Sequence, residues 1–261
     1  MTALLVVVAG IVGLAIGSFL NVVIWRVPRG ESVAHPPSAC PRCGHAIRSR
    51  DNVPVLSWLL LRGRCRDCGN PISARYPIVE AATGVLFAAT AWWTGPSWVL
   101  PALLYLVAIS VALALIDLDT KRLPNAIVLP SYPVAFALLT LASWNPGGTP
   151  DWAALVRALI GAAVLYAIYL VTVVVYPAGM GFGDVKLAGV LGLYLGWFGW
   201  GALFVGWFSA FLFGGIFSVA LLFSGRAGRK SGIPFGPWML LGAAVGIVLG
   251  EALWSWYLAV L

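Results

Sequence analysis

The chain has 261 residues, 61% of them hydrophobic and 10% charged, with a mean hydropathy of +0.95. A soluble domain usually carries about 25% charged residues, so these charges are too few to cover a globular surface, and lipid must cover much of it. This argues for an integral membrane protein and against a charge-rich nucleic-acid binder; the net charge of +7 is met by topology and anionic lipid.

Long apolar runs predict an all-α, polytopic transmembrane bundle, since about 20 helical residues cross the hydrocarbon core of a bilayer. Residues 3–25 carry no charge. No basic residue precedes this run and it is too long for a signal-peptide core, so it is read as a retained helix. A polar stretch, 26–77, follows and holds all four cysteines. Further spans are expected near 78–95, 98–116, 126–144, 153–176, 186–199, 201–223 and 235–258, about eight in all. The 186–199 segment is short, and Gly199 and Gly201 blur its boundary with the next, which predicts a tilted or broken helix and leaves seven as the alternative count. The expected domains are a first transmembrane helix (1–25), a loop domain (26–77) and a transmembrane bundle (78–261).

Lys and Arg accumulate in short cytoplasmic loops. Nine of the 16 lie between Arg26 and Arg75. With eight spans, that stretch shares a side with 117–125 (Lys121, Arg122), 177–186 (Lys186) and 224–233 (Arg226, Arg229, Lys230), leaving Arg157 alone on the other. The asymmetry predicts a cytoplasmic loop domain and both termini outside the cytoplasmic (inner) membrane.

Within the loop, Cys40-x2-Cys43 and Cys65-x2-Cys68 repeat one form, each with Gly after its second Cys. Two such turns can present four thiolates tetrahedrally to zinc. A disulfide is the competing reading, which a reducing cytoplasm disfavours. Four Cys ligands close the metal shell and leave no position for a hydrolytic water, so the zinc is expected to be structural. His45 is read as a polar neighbour of the site.

Acids are scarce, nine in all, and carboxylates at helix ends in a membrane suggest function. Asp117 and Asp119 lie where the third span reaches the cytoplasm; Asp184 opens the sixth, in Gly179-Met180-Gly181-Phe182-Gly183-Asp184-Val185-Lys186. Two facing carboxylates sharing one proton can hydrolyse a peptide without a metal: the ionised acid takes a proton from water while the protonated one polarises the scissile carbonyl. On the residues alone, three readings stand open. The acids form a peptidase pair, or a proton relay in a transporter, or they merely pair with Lys121 and Arg122 and favour a helix N-terminus.

The ordered series of motifs is specific. Gly181-x-Gly183-Asp184 and Asp117-x6-Pro124-Asn125 stand with Gly17-Ser18-Phe19-Leu20-Asn21, Arg26-Val27-Pro28, Asn52-Val53-Pro54-Val55-Leu56-Ser57-Trp58, Ser73-Ala74-Arg75-Tyr76-Pro77-Ile78-Val79-Glu80 and Pro234-Phe235-Gly236-Pro237. Over nearly the whole chain, this resembles the type IV prepilin peptidase family of membrane aspartyl proteases. The resemblance implies cleavage of the leader of type IV prepilins and secretion pseudopilins, after Gly and usually before Phe, at the cytoplasmic face. It carries the catalytic roles to Asp117 and Asp184, the spacing to Pro124 favouring Asp117 over Asp119. Asp119, Gly181, Gly183 and Lys186 become supporting residues. Relatives that keep the cysteine loop resemble N-methyltransferases, which methylate the new N-terminus from S-adenosylmethionine. Both activities are therefore expected, with peptidase activity alone as the alternative. Glu80, at the membrane edge after the loop, is the candidate for the methyl-donor site. Oligomeric state is left open. Gly192-x3-Gly196 and Gly242-x3-Gly246-x3-Gly250 are read as close helix packing, Trp92, Trp93, Trp98, Trp144, Trp152, Trp197 and Trp200 as an interfacial belt, and Asp151 and Glu251 as peripheral acids without partners.

Overall fold

The architecture is that of a computed structural model describing residues 2–177, 179–224 and 233–260. Among them the regular structure is helical: α1 (Thr2–Arg26), α2 (Leu56–Leu60), α3 (Arg75–Thr94), α4 (Leu100–Thr120), α5 (Asn125–Trp144), α6 (Trp152–Val175), α7 (Phe182–Phe198), α8 (Trp200–Phe223) and α9 (Gly236–Val260), with 3-10 turns at Val27–Arg29 and Ser49–Asp51. Arg226, Arg229 and Lys230 of the expected basic loop lie outside the described residues.

Six segments are long and apolar enough to cross a membrane: Thr2–Arg29, Leu100–Thr120, Asn125–Trp144, Trp152–Val175, Trp200–Phe223 and Gly236–Val260. Large apolar side chains project from them, among them Leu4, Ile11, Val156, Val174 and Phe208. Such a surface belongs in lipid, and the protein is a multi-pass membrane protein. Each of the eight expected segments is helical, but α3 and α7 fall short of the same standard, so six of the expected spans are supported. Helix α3 opens on Arg75 and carries Glu80, which dilutes its apolar run. Helix α7 has only 17 residues, about 25 Å of rise, and apart from Lys186 every side chain from Asp184 to Gly196 is buried. Apolar residues are demanded equally by lipid and by a protein core, so hydropathy does not separate the two cases.

The chain divides into two compact units, Met1–Ala112 and Leu113–Leu261, with the boundary inside α4. In the first, α1 lies against α3 through small residues. A Cβ on Gly17 would stand 2.7 Å from the Glu80 Cα, and one on Gly13 2.9 Å from the Gly84 Cα. Asn21 Nδ2 donates to the Tyr76 carbonyl at 3.2 Å, and Ala9, Ala91 and Leu100 close the other end.

In the second unit α7 is the core, packed against α5, α6, α8 and α9. Its glycines meet backbone: Gly192 sits on Gly161 and Ala162, and Gly196 on Arg157 and Ala158. Gly242, Gly246 and Gly250 seat α9 in the same way on Ala202, Gly206 and Ala210 of α8. Helix ends expose unpaired backbone groups, and charged side chains take them up here. Arg157 donates from Nε to the Gly196 carbonyl (3.1 Å) and from Nη2 to that of Trp197 (2.9 Å). Glu251 Oε1 accepts the first N–H groups of α8, Gly201 at 2.9 Å and Ala202 at 3.2 Å. Asp151 Oδ1 accepts from Ala154 N at 2.9 Å, capping α6. The reading of Asp151 and Glu251 as partnerless is thus corrected; their partners are backbone groups, which side-chain patterns do not reveal. Of the tryptophans, Trp92, Trp144, Trp152 and Trp200 are exposed, whereas Trp197 Nε1 donates to the buried Ser143 at 2.8 Å.

The backbone contact at Gly192 makes a direct test. A Cβ there would lie 2.7 Å from Ala162 Cα, and overpacking of this kind costs about 1–3 kcal/mol. Gly192→Ala is expected to lower the thermal unfolding midpoint in detergent, whereas the same change at Gly215, where a Cβ meets nothing, leaves it in place.

Candidate active site and metal loop

Asp117 and Asp184 are the only buried charged residues among those described, at 4% and 8% relative exposure. Asp117 lies one turn before the end of α4. A helix advances 100° per residue, so Asp119 falls on the opposite face, and it is exposed. Asp117 Oδ2 accepts from Gly236 N, at the start of α9, at 3.0 Å. A Cβ on Gly236 would stand 2.9 Å from that oxygen. The Pro234-Phe235-Gly236-Pro237 motif therefore brings a bare backbone N–H to a carboxylate 119 residues earlier, a contact invisible to local sequence reading.

Asp184 lies in the first turn of α7 and accepts on Oδ2 from Gly181 N at 3.0 Å. The carboxylate reaches back to the N–H of Gly181, the residue that caps its own helix, and the N-terminal dipole favours negative charge there. The two acids are within electrostatic reach of each other. Leu123, from the turn between α4 and α5, ties their surroundings together: a Cβ on Gly183 would meet its Cβ at 3.0 Å, and one on Gly236 its Cδ2 at 3.2 Å. Lys186 Nζ donates to Asn125 Oδ1 at 2.9 Å and lies 4.9 Å from the Phe182 ring centre. Tyr132 OH donates to the Lys186 carbonyl at 2.7 Å. So α5 grips the start of α7 through Asn125, the last residue of the Asp117-x6-Pro124-Asn125 pattern. Gly181, Gly183 and Lys186 thus lie beside Asp184, and Asp119 points away.

The cysteines assemble in the first unit. Each Cys-x2-Cys turn is closed by the same pair of backbone bonds. Cys40 N donates to the His45 carbonyl and Gly44 N to that of Cys40, both at 2.9 Å; Cys65 N donates to Asn70 (2.8 Å) and Gly69 N to Cys65 (2.9 Å). Gly44 and Gly69 have φ of 71° and 70°, a left-handed conformation that only glycine takes without strain. All four sulfurs are free thiols whose Sγ atoms lie within 4.8 Å of one another, and Cys40 and Cys68 are 3.8 Å apart. Zn–S bonds of about 2.3 Å in a tetrahedron place sulfurs about 3.8 Å apart, so the donor set fits zinc. Without a metal the clustered sulfurs share protons unevenly: backbone N–H groups of Cys43 and Arg42 pull the Cys40 thiol down to about 6, while burial and the neighbouring sulfurs push Cys43 up to about 12; a bound dication would favour thiolate at each.

Around this cluster, Arg66 forks onto Asp51 (2.7 Å) and Arg48 pairs with Asp67 (2.9 Å). Hydrogen bonding from Arg66 holds the Asp51 carboxyl below its usual range. Trp58 Nε1 donates to the Ile72 carbonyl at 3.1 Å, and buried Ser57 accepts from Val53 N and donates to the Arg50 carbonyl, both at 3.0 Å. These residues come from the Asn52–Trp58 motif, which thereby builds the loop. Glu80 of α3 ties the loop to the helix: its Oε2 accepts from Val55 N at 2.7 Å. Val55 has φ of 60°, unusual for a β-branched residue.

Loop stability should depend on metal. Purified protein is expected to hold about one zinc per chain by elemental analysis, to lose it on Cys65→Ser, and then to become protease-sensitive between 26 and 75. A zinc-free wild-type loop that resists protease equally would contradict this.

Comparison with known proteins shows the family. Residues 11–94 match the Bacterial Peptidase A24 N-terminal domain and residues 103–223 the Type IV leader peptidase family. The chain is 36% identical over 270 residues to a prepilin leader peptidase/N-methyltransferase of Aeromonas hydrophila, covering 94% of this chain and 91% of the relative. To the protein of that name from Pseudomonas putida it is 35% identical over 276 residues, covering 97% and 93%. No solved structure matches. The chain belongs to the type IV leader peptidase family.

Proposed function

We propose that this enzyme is a membrane aspartic endopeptidase that removes the leader of type IV prepilins or pseudopilins and N-methylates the new N-terminus, with Asp117 and Asp184 as its catalytic pair. One observation carries the catalytic assignment: the only two buried charges among the described residues, Asp117 in the last turn of α4 and Asp184 in the first turn of α7, each accept from a backbone N–H at a helix start, and Leu123 packs against the glycines beside both. In a membrane protein a buried carboxylate is costly unless it has a task.

The chemistry follows from the pair. One carboxylate, ionised, takes a proton from water as it attacks the scissile carbonyl; the other, protonated, hydrogen-bonds the carbonyl oxygen. The proton then passes to the leaving nitrogen and the roles reverse. The Gly236 and Gly181 N–H groups, at 3.0 Å from their carboxylate oxygens, fix both acids. Lys186 and Asn125 hold the first turn of α7 in place, and Asp119, on the exposed face of α4, lies outside the pair. Cleavage after Gly, usually before Phe, rests on the family resemblance, and a cytoplasmic site with both termini outside rests on the basic residues of the sequence gathering on one side. A proton-relay transporter loses its footing with the family assignment.

The methyl transfer is assigned to the loop at 26–77, the hydrolysis to the bundle at 78–261. Zinc held by Cys40, Cys43, Cys65 and Cys68 has a closed shell and serves as the staple of the loop. When bound, S-adenosylmethionine would supply an electrophilic methyl group for the newly exposed amine. Glu80 is the proposed methyl-donor contact. One of its oxygens holds Val55, and the other carries no hydrogen bond among the described residues, where it can accept from a donor molecule's hydroxyl or amino groups.

Asp117→Asn and Asp184→Asn are each expected to reduce leader cleavage of a prepilin in vitro at least a thousandfold, while Asp119→Asn retains most of it. Leader loss that survives either of the first two would sink the assignment. Gly236→Ala, which pushes a methyl onto Asp117, should slow cleavage more than tenfold. With pre-cleaved pilin as substrate, Glu80→Gln is expected to weaken methyl transfer and to spare peptide cleavage of intact prepilin.

A further inference from the structure

At the end of α7 remote from Asp184, the turn between α7 and α8 meets α6 and α9 around a cleft of about 360 Å³. Its lining includes Arg157, Glu251, Phe198, Trp200 and Trp254. Arg157 and Glu251 carry opposite charges, yet neither is in an ion pair among the described residues. Each is instead fixed by backbone: Arg157 through Nε and Nη2, Glu251 through Oε1. That leaves Arg157 Nη1 and Glu251 Oε2 without hydrogen bonds among the described residues. Two opposite charges held apart by rigid anchors form a receptor for a ligand with the complementary pair. A simple anion is repelled by Glu251 and a simple cation by Arg157.

The neighbourhood identifies the source of such a ligand. Trp200 is half-exposed, and aromatic residues of this kind favour the headgroup level of a bilayer. From Trp254 an aromatic strip leads away along α8: Trp254 and Phe204 rings are 5.4 Å apart, and Phe204 stacks with Phe208 at 6.3 Å. Phe204, Phe208, Val248 and Leu249 are exposed, as a surface for acyl chains would be. We propose that this cleft binds a zwitterionic aminophospholipid, its phosphate on Arg157 and its ammonium on Glu251, with the chains along the Phe204–Phe208 strip.

The test uses the purified full chain and lipids of matched chains, with binding read by native mass spectrometry. Phosphatidylethanolamine is expected to bind about tenfold more tightly than phosphatidylglycerol and than N-acetylated phosphatidylethanolamine, which keeps the phosphate and loses the ammonium charge. Glu251→Gln keeps an acceptor for Gly201 and Ala202, so it should still fold and cleave prepilin but lose the preference. Equal binding of the three lipids by wild-type protein would overturn the proposal. So would a preference that survives in Glu251→Gln, or equal binding of soluble glycerophosphoethanolamine, which would mark a free metabolite instead of a lipid.

Discussion

A carboxylate inside a membrane protein must be held by hydrogen-bond donors, and the second unit is arranged to supply them. Helix α7 is short and, from Asp184 to Gly196, buried on nearly every side, while Gly181 and Phe182 at its start are exposed. Its first N–H groups need an acceptor, and Asp184 provides one by folding back on Gly181. The start of α9 has the same need, which Asp117 meets through Gly236. Each acid is therefore paired with a helix beginning, where partial positive charge favours an anion. What looks like mere capping is also what keeps two acids buried and near each other.

That arrangement depends on backbone approach that larger residues would forbid. Glycines on α6, α7, α8 and α9 bring helices close enough for α7 to lie at the centre, and Arg157 and Glu251 finish the far ends of α7 and α8. The cysteine loop is stabilised by different means. It is polar and small, with only Ser57 and Gly63 buried along 26–75, so hydrophobic burial cannot hold it, and four thiolates around a dication can. The buried carboxylates and the cysteine cluster thus belong to different units, each held by what it can physically stabilise.

Much of this was legible in the sequence because its signals are local. Acids stand out in an apolar chain, and paired Cys-x2-Cys turns announce their geometry with a glycine at a fixed offset. Helix positions followed apolar runs, and α5 at 125–144 differs from the expected span by one residue. Helix α7 was placed from residue 186, yet it begins at Phe182, since a hydropathy window discounts the very Asp and Lys that open it. The contacts of Gly236 with Asp117, Tyr132 with Lys186, and Glu251 with α8 were not legible. They join a side chain to a distant backbone group, and any residue type can offer a backbone group.

The choice between Asp117 and Asp119 shows how a spacing rule becomes a physical one. Two residues along a helix turn a side chain by about 200°. From one α4 backbone, Asp117 therefore faces the interior beside Gly236 while Asp119 faces outward. The turn from Lys121 to Pro124 then sets where Leu123 and Asn125 fall: Leu123 against Gly183 and Gly236, Asn125 against Lys186. Lengthening that turn by one residue would rotate neither acid, but it would move the two groups that register α4 against α7 and α9. The distance from Asp117 to Pro124 matters because it sets this register, whereas the facing of α4 sets which of its two carboxylates is buried.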